Sequence, residues 1–585
     1  MHECIKNKSN GMSNKKLLFK TLSMIFKATP CLLIIVFVCE FFIGVIQTGT
    51  LIAWQYLVNT AEQFIRNRDN YALMIFALVL SLCSYVVMDL FRMLLESLYT
   101  LLNNRLTEFF QLKLYDKCRV INTIYFEDSE LYNKIDRANK SIKGIISLVG
   151  IIGIFVMAVS RISTLGTYVL IAKPTLGLII VLPVIPILLT RIIRGKDLYN
   201  LNYEQSEKRR ECNYYRKCIL EKETKTTLAI SYFQQKWDDL YREINMSEMK
   251  VNRKLSFIFA CLNLLKYSIY ILAIAISAIY LFDGSIDVGM FALITGTLGT
   301  THATIEIVVS KTGDVAGTLR YAKDYFTFIN MSYDIINEKN KFKCAIKLDK
   351  VCFAYPKSKK NVLYNIDFSV KYGEKIALVG VNGAGKTTLA KIILGLYNPS
   401  SGQILIDDKA RVDNSLVDGS AVFQNFCKYF FSLRENVAFG NIDNINNDKA
   451  LLDKLKEFDF DLSKTGISLD TQLGREFEGI ELSGGEWQKI ALARGFLKKL
   501  DFIILDEPNS GLDPLTESKL FHRFVELLKN STGIIITHRI GIAALADRII
   551  LLENGQVIEE GTHVELMNKN GRYCKMFETQ ATMYK

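Results

Sequence analysis

Residues 376–388 read Ile376-Ala377-Leu378-Val379-Gly380-Val381-Asn382-Gly383-Ala384-Gly385-Lys386-Thr387-Thr388. The first four form a short apolar run of the kind found in buried strands, and an amphipathic helix is expected from about Leu389. Between them lies G-x-x-x-x-G-K-T, in the strand-loop-helix setting that a phosphate-binding loop requires. Gly380, Gly383 and Gly385, with Asn382 between them, let backbone amides wrap phosphate oxygens, and the following helix adds partial positive charge at its N-terminus. Lys386 is placed to reach β and γ phosphates, Thr387 to offer a hydroxyl to Mg²⁺, and Thr388 to line the same loop.

Two further stretches downstream fit that site. Residues 502–505, Phe-Ile-Ile-Leu, read as a buried strand that ends in Asp506-Glu507-Pro508, which puts two carboxylates at a strand's C-terminal end. Asp506 suits Mg²⁺ coordination and Glu507 suits a base that polarises water. The alternative is that D-E-P merely ends a strand at a turn. Leu482-Ser483-Gly484-Gly485-Glu486 precedes an amphipathic helix expected over residues 487–497. Ser483, Gly484 and Gly485 therefore form a second helix N-terminus open to an anion, although alone they would pass for an ordinary N-cap.

The remainder of the chain has a different composition. Its 585 residues are 50% apolar and 23% charged, with a mean hydropathy of +0.17. That pairing arises when a hydrophobic half is joined to a soluble half, and it argues against both disorder and a purely cytosolic enzyme. Six stretches are apolar enough to cross about 30 Å of hydrocarbon at 1.5 Å per residue: residues 30–52, 71–90, 145–168, 176–193, 255–282 and 288–309. Pro183 and Pro186 predict a kink in the fourth.

The charge distribution orients these spans. Six lysines precede the first, and residues 105–143 and 191–254 contain 8 and 15 Lys plus Arg; the other side has only Arg66, Arg68 and Lys173. By the positive-inside rule both termini and both long loops are cytoplasmic. The formal charge of +12 is thereby explained by topology, and no nucleic acid partner is implied. No signal-peptide cleavage pattern follows the first apolar run. The long inner loops read as charged continuations of the spans, broken around residues 122–129 and 221–227. Glu40, Asp89, Arg161, Lys266, His302 and Glu306 are ionisable residues within or near spans and suggest a wet cavity, unless some lie at the interface or pair with one another. The twelve cysteines are scattered singly and read as reduced packing residues.

Taken together, these motifs resemble those of ATP-binding cassette (ABC) exporters, specifically a half-transporter, over about residues 20–580. Leu482 to Glu486 resembles the family's signature sequence, Gln424 its Q-loop glutamine, Ser510-Gly511-Leu512-Asp513 its D-loop and His538 its switch histidine. Tyr355 resembles the aromatic that stacks on adenine. Glu486 stands where the family usually has Gln, and Gly511 where it usually has Ala.

The resemblance implies a six-helix α transmembrane domain followed by an α/β P-loop nucleotide-binding domain. The expected organisation is a cytoplasmic segment 1–29, a membrane domain 30–313, a linker 314–344 and an ATP-binding cassette 345–585. It further implies ATP and Mg²⁺ as ligands, Thr387, Gln424 and Asp506 at the metal, and Glu507, His538 and Gln424 in catalysis. Tyr355, Thr388, Ser483, Gly484, Gly485 and Asp513 are expected to contact ATP beside the phosphate loop. A second half-transporter, as a homodimer or a heterodimer, is implied because one cassette does not normally close both sides of its own ATP.

Export across a bacterial plasma membrane is expected, with membrane lipid around the spans. The segment Val422-Phe423-Gln424-Asn425-Phe426-Cys427-Lys428-Tyr429, with Leu433-Arg434-Glu435-Asn436, is similar to exporters of lantibiotic-type peptides. These residues are expected to serve the ATP interface rather than touch cargo. A multidrug or lipid exporter, or a non-transporting membrane ATPase, shares the same motifs. No leader-peptidase domain is expected in the 29 residues before the first span.

Overall fold

The structure is a computed structural model that describes residues 14–67, 71–175, 201, 205–220, 230–331, 339–340, 343–358, 360–413, 415–462, 466–498, 501–508, 524, 526–527 and 531–583. These fall into two compact units: Met1–Asp116 with Lys134–Met331, and Lys117–Asn133 with Ser332–Lys585.

The first unit is helical. Helices α1 (Asn14–Ala28), α2 (Pro30–Asn67), α3 (Tyr71–Val120), α4 (Ser129–Ala172), α5 (Ser206–Leu220), α6 (Ile230–Phe282) and α7 (Val288–Asn330) follow in order. Pro30 opens α2 at the position where a missing N–H is harmless. Among the described residues four helices, α2, α3, α4 and α6, are long and apolar enough to cross a membrane, and α7 adds a shorter apolar stretch over Val288–Thr300. The expected span at 176–193 lies outside the described residues. As the charge pattern predicts, α3 and α6 run far beyond bilayer length, to 50 and 53 residues. Helix α7 also continues to Asn330, without a break at residue 313.

Small residues let these helices approach closely. A Cβ on Gly44 would lie 2.6 Å from the Met157 carbonyl oxygen, and there α2 and α4 exchange hydroxyl bonds, Ser160 to the Phe41 carbonyl and Thr48 with Thr164. Of the ionisable residues expected in the spans, Glu40 is buried and accepts a bond from Tyr99 Oη at 2.8 Å. Arg161 is buried and donates to Thr304 at 2.8 Å. Asp89 faces Arg92 from an exposed position, and buried Lys266 donates to Asn263. The side chains of His302 and Glu306 lie outside the described residues. Only Cys39, Cys212 and Cys574 are buried among the described cysteines, so the packing role expected for all of them holds for those three. Cys31, Cys83 and Cys261 are exposed on α2, α3 and α6, where an apolar thiol meets no penalty from lipid.

The second unit is built on two sheets. Strands β1 (Ala345–Phe353), β2 (Leu363–Lys371) and β4 (Ser401–Ile406) form an antiparallel sheet in the order β2-β1-β4, edged by the two-residue strand Lys409–Ala410. The larger sheet contains β3 (Lys375–Val379), β5 (Ser420–Val422), β6 (Phe502–Asp506), β7 (Thr532–Thr537), β8 (Arg548–Glu553) and β9 (Gln556–Gly561), in the order β9-β8-β3-β7-β6-β5. It is parallel from β8 to β5, and β9 is antiparallel at the edge. Its central strands are covered on both faces, which explains why β6 and β7 are buried at every position and read as continuous apolar runs.

Candidate ATP site

Parallel pairing sets the site. Strands β3 and β6 both flank β7, so the phosphate loop after β3 and the carboxylates at the end of β6 emerge at the same end of the sheet. The loop runs into helix α8 (Lys386–Ile393), which begins three residues earlier than the sequence suggests. Lys386, Thr387 and Thr388 thus form its first turn, where backbone N–H groups have no helical partner and are free for an anion. Gly385 has φ +99°, and a Cβ there would lie 2.7 Å from Leu363 Cδ2. At Gly380 a Cβ would come within 2.1 Å of the Leu552 carbonyl oxygen. Both glycines are demanded by space or backbone conformation.

Within this loop Lys386 Nζ donates to the carbonyls of Gly380 at 2.9 Å and Val381 at 3.1 Å. Burial holds its pKa below the ordinary lysine value, against the opposing charges of Glu507 and Asp506. Thr387 Oγ1 donates to Asp506 Oδ2 at 2.6 Å. Asp506 is buried and its carboxyl is pushed upward by desolvation, with the Thr387 bond acting the other way. The Thr387 hydroxyl and the Asp506 carboxylate, bonded to each other here, and the amide oxygen that Gln424 carries are hard donors of the kind Mg²⁺ favours, so these residues fit that ion.

Glu507 joins the remaining groups. Its N–H extends the β6–β7 pairing by donating to the Ile536 carbonyl at 2.9 Å. Its backbone then turns to φ +47°, a left-handed conformation that costs a non-glycine residue about 1 kcal/mol or more. The carboxylate accepts a bond from Gln424 Nε2 at 2.9 Å and lies 3.3 Å from His538 Nδ1. Three residues separated by 83 and 31 positions in the chain are thereby gathered at one carboxylate. The backbone around His538 is held by a residue the sequence does not signal: Gln580 donates to the His538 carbonyl at 2.7 Å and accepts from Ile540 N at 2.9 Å.

Tyr355 is half-buried, and its hydroxyl lies 2.9 Å from Thr388 Oγ1, which ties the aromatic to the phosphate loop. Helix α9 (Gly484–Phe496) starts at Gly484, with Ser483 as N-cap and Glu486 completing a capping box. The two glycines belong to its first turn, ahead of the start expected at residue 487. Ser483, Gly484 and Gly485 are not brought to the phosphate loop of this chain by any described bond. Asp513 and the rest of 510–513 lie outside the described residues.

The segment 433–436 requires a correction. Rather than serving the ATP interface, Leu433 and Asn436 are fully buried. Arg434 binds Asp470 at 2.6 Å and pairs with Asp448, and Glu435 caps its own helix. Asn436 donates to the carbonyls of Tyr429, Phe431 and Ser432 and accepts from Arg494 Nη2 at 2.9 Å. These side chains close a small helical core, because a buried amide must satisfy both ends.

The ABC transporter family matches residues 363–510, the span holding the phosphate loop, the signature segment and both carboxylates. The subtilin transport ATP-binding protein SpaT of Bacillus subtilis is 30% identical over 78% of this chain and 77% of its own length. The nisin transport ATP-binding protein NisT of Lactococcus lactis subsp. lactis is 30% identical over 69% of this chain and 71% of its own. Among solved structures, a bacterial Atm1-family ABC exporter with ATP bound aligns over 94% of this chain and 99% of that one, with a TM-score of 0.73 at 20% identity.

Proposed function

The chain belongs to the ABC transporter family, which couples ATP hydrolysis to transport, and from that premise we propose that it is a half-transporter exporting a modified bacteriocin-type peptide. The observation that carries the ATPase part is the convergence of Gln424 and His538 on Glu507, beside Thr387 bonded to Asp506. The peptide part is supported by relatives named for subtilin and nisin transport.

The working unit is two copies of this chain, with six spans each and both termini cytoplasmic, in a bacterial plasma membrane. Residues 30–313 form the membrane domain and 345–585 the cassette, joined by 314–344. Each ATP lies with its adenine on Tyr355 and its phosphates in the loop from Gly380 to Thr388. Lys386 leaves the Gly380 and Val381 carbonyls for phosphate oxygens, exchanging two neutral acceptors for a charged one. Ser483, Gly484 and Gly485 of the second copy close over the γ-phosphate, and Asp513 lies beside that junction. Glu507 accepts a proton from the attacking water, Gln424 holds the carboxylate in position, and His538 follows the γ-phosphate. Mg²⁺ held by Thr387, Asp506 and Gln424 would neutralise phosphate charge.

The test uses the purified full chain in nanodiscs, presented separately with a lanthionine-containing peptide, with lipid A and with a hydrophobic dye. We expect the peptide alone to stimulate ATP hydrolysis. Stimulation by lipid A or dye with none by peptide would reassign the cargo. Full hydrolysis by Lys386→Ala would remove the ATPase reading itself.

A further inference from the structure

Among the described residues, Arg161 is a buried cation with no carboxylate beside it. It lies on α4, 11 residues before that helix ends at Ala172, which is about 16 Å at 1.5 Å per residue and about half the depth of a hydrocarbon layer. Only 8% of it is exposed. Nη1 donates to Thr304 Oγ1 of α7 at 2.8 Å, whereas Nε is buried and meets no acceptor among the described residues. The ionised side chain that acts on it is a second cation, Arg92 of α3. Hydroxyls nearby are engaged elsewhere: Thr304 donates to the Thr300 carbonyl at 3.0 Å, Ser160 to the Phe41 carbonyl at 2.8 Å, and Thr48 and Thr164 bond each other at 2.7 Å. Because its proton is committed to Thr300, Thr304 presents a lone pair in a fixed direction. The guanidinium is therefore held in one orientation with its Nε edge unbonded.

A second incomplete group faces the same helix. Gln47 of α2 is half-buried, its Oε1 has no partner among the described residues, and its Nε2 has only the Met157 sulfur, at 3.9 Å. Met157 stands one turn before Arg161 on α4. The two helices meet closely here, since a Cβ on Gly44 would lie 3.0 Å from the Arg161 backbone nitrogen. A buried cation and a buried amide oxygen, each short of a bond, both work against folding at membrane depth. Groups of this kind persist where a ligand completes them.

We propose that Arg161 and Gln47 form a cargo subsite for a peptide carboxylate, with Arg161 binding the carboxylate and Gln47 the adjoining peptide unit. This rests on the peptide-export reading above and adds to it the chemical group by which the cargo is held. On a guanidinium, the Nε–H and one Nη2–H point parallel along one edge and match the two oxygens of a single carboxylate. One carboxylate also brings one negative charge to one unpaired positive charge. The Gln47 amide offers an acceptor to a peptide N–H and a donor better used than on a thioether. A peptide's last residue carries a carboxylate and an N–H together, which fits both groups; an acidic side chain supplies the same carboxylate from within the sequence. Thr304 positions the guanidinium and does not itself meet the cargo.

The test measures binding to the full chain in nanodiscs, and stimulation of its ATP hydrolysis, by a lanthionine-containing peptide in three forms: free C-terminus, C-terminal amide, and free C-terminus with every Asp and Glu changed to Asn and Gln. Lipid A is a fourth arm. Wild type is expected to lose roughly ten- to a hundredfold in affinity for the form lacking the recognised carboxylate, which identifies its source. Arg161→Met is expected to bind all three forms within about threefold of one another, at the level of the weakest wild-type form. Removing an unpaired buried charge should leave the unfolding temperature unchanged or raised, whereas loss of a purely structural arginine would lower it. Gln47→Leu is expected to weaken every form alike, by about threefold. Wild type that binds all three forms equally would overturn the proposal without any variant. So would an Arg161→Met chain that unfolds at a lower temperature or keeps the wild-type preference among the forms. If the peptides stimulate wild type without discrimination, this inference alone fails; if lipid A stimulates it and no peptide does, the peptide-export reading fails with it.

Discussion

Glu486 stands at the end of the signature segment where a glutamine is usual, and its contacts give the difference a direction. Ser483 Oγ donates to Glu486 Oε2 at 2.7 Å, and Ser483 N donates to the same oxygen at 2.7 Å. The serine hydroxyl has a single proton, so the proposed closure on the γ-phosphate of another copy requires giving up this bond. A hydrogen bond to a charged acceptor is worth about 1.5–3 kcal/mol and a neutral one about 0.5–1.5. Substituting Gln therefore lowers the cost of release by roughly 1 kcal/mol per site, once solvent exposure of Ser483 is allowed for. Gln also preserves the capping box, so α9 keeps its start. In the proposed symmetric dimer two equivalent sites give about 2 kcal/mol, or roughly 30-fold in the closure equilibrium. The assay is energy transfer between dyes on the two nucleotide-binding domains of Glu486→Gln, titrated with ATP in a Glu507→Gln background. Closure at a lower ATP concentration is expected. Unchanged or weaker closure would show that Glu486 does not compete for the serine proton.

Other perturbations follow from the same geometry. Glu507→Gln removes the proposed base while keeping an acceptor for Gln424; kcat should fall by about 10²–10⁴ with ATP binding retained, as single-turnover hydrolysis and equilibrium binding would show. Gly380→Ala places a methyl against the Leu552 carbonyl at 2.1 Å, and should cost about 1–3 kcal/mol and much of the ATP affinity, read by thermal unfolding with and without nucleotide. Asn436→Ala takes one acceptor from half-buried Arg494 and the side-chain donor from the Tyr429, Phe431 and Ser432 carbonyls, of which the last two keep backbone donors; destabilisation of about 1–3 kcal/mol is expected, with KM for ATP in the folded fraction unchanged. The carboxyls of Glu127 and Asp128 are both held below their ordinary values, by Tyr397 and by Lys357 respectively. Groups depressed in the folded state stabilise above the unfolded pKa and lose that contribution as pH falls through the folded one. Hydrogen-exchange protection of residues 123–127, corrected for intrinsic rates, should therefore be flat from pH 8 to about 5 and decline only below the ordinary carboxylate range near 4.

The phosphate loop, the carboxylate pair and the signature segment are legible because each is local: a handful of consecutive residues carries the turn, the helix start and the donor atoms together. Element starts were less legible. Lys386 and Gly484 begin their helices earlier than expected because helix onset depends on the cap and on unpaired amides, whereas apolar periodicity appears only a turn later. Asn436 shows the opposite case, since its motif is readable but its role is set by the distant Arg494 that it satisfies.

Gln580 beneath His538, and Tyr397 with Lys391 beneath Glu127, carry no local pattern at all. The chain by itself determined that an apolar helical part precedes a phosphate-binding α/β part, since burial periodicity, the positive-inside charge bias and the G-x-x-x-x-G-K-T loop are each properties of a few neighbouring residues. Which carboxylate Gln424 and His538 converge on, and which acids Lys357 grasps, was decided only by strand order and packing. Hydrogen bonds act over about 3 Å, and only the folded sheets bring atoms that are tens or hundreds of residues apart within that reach.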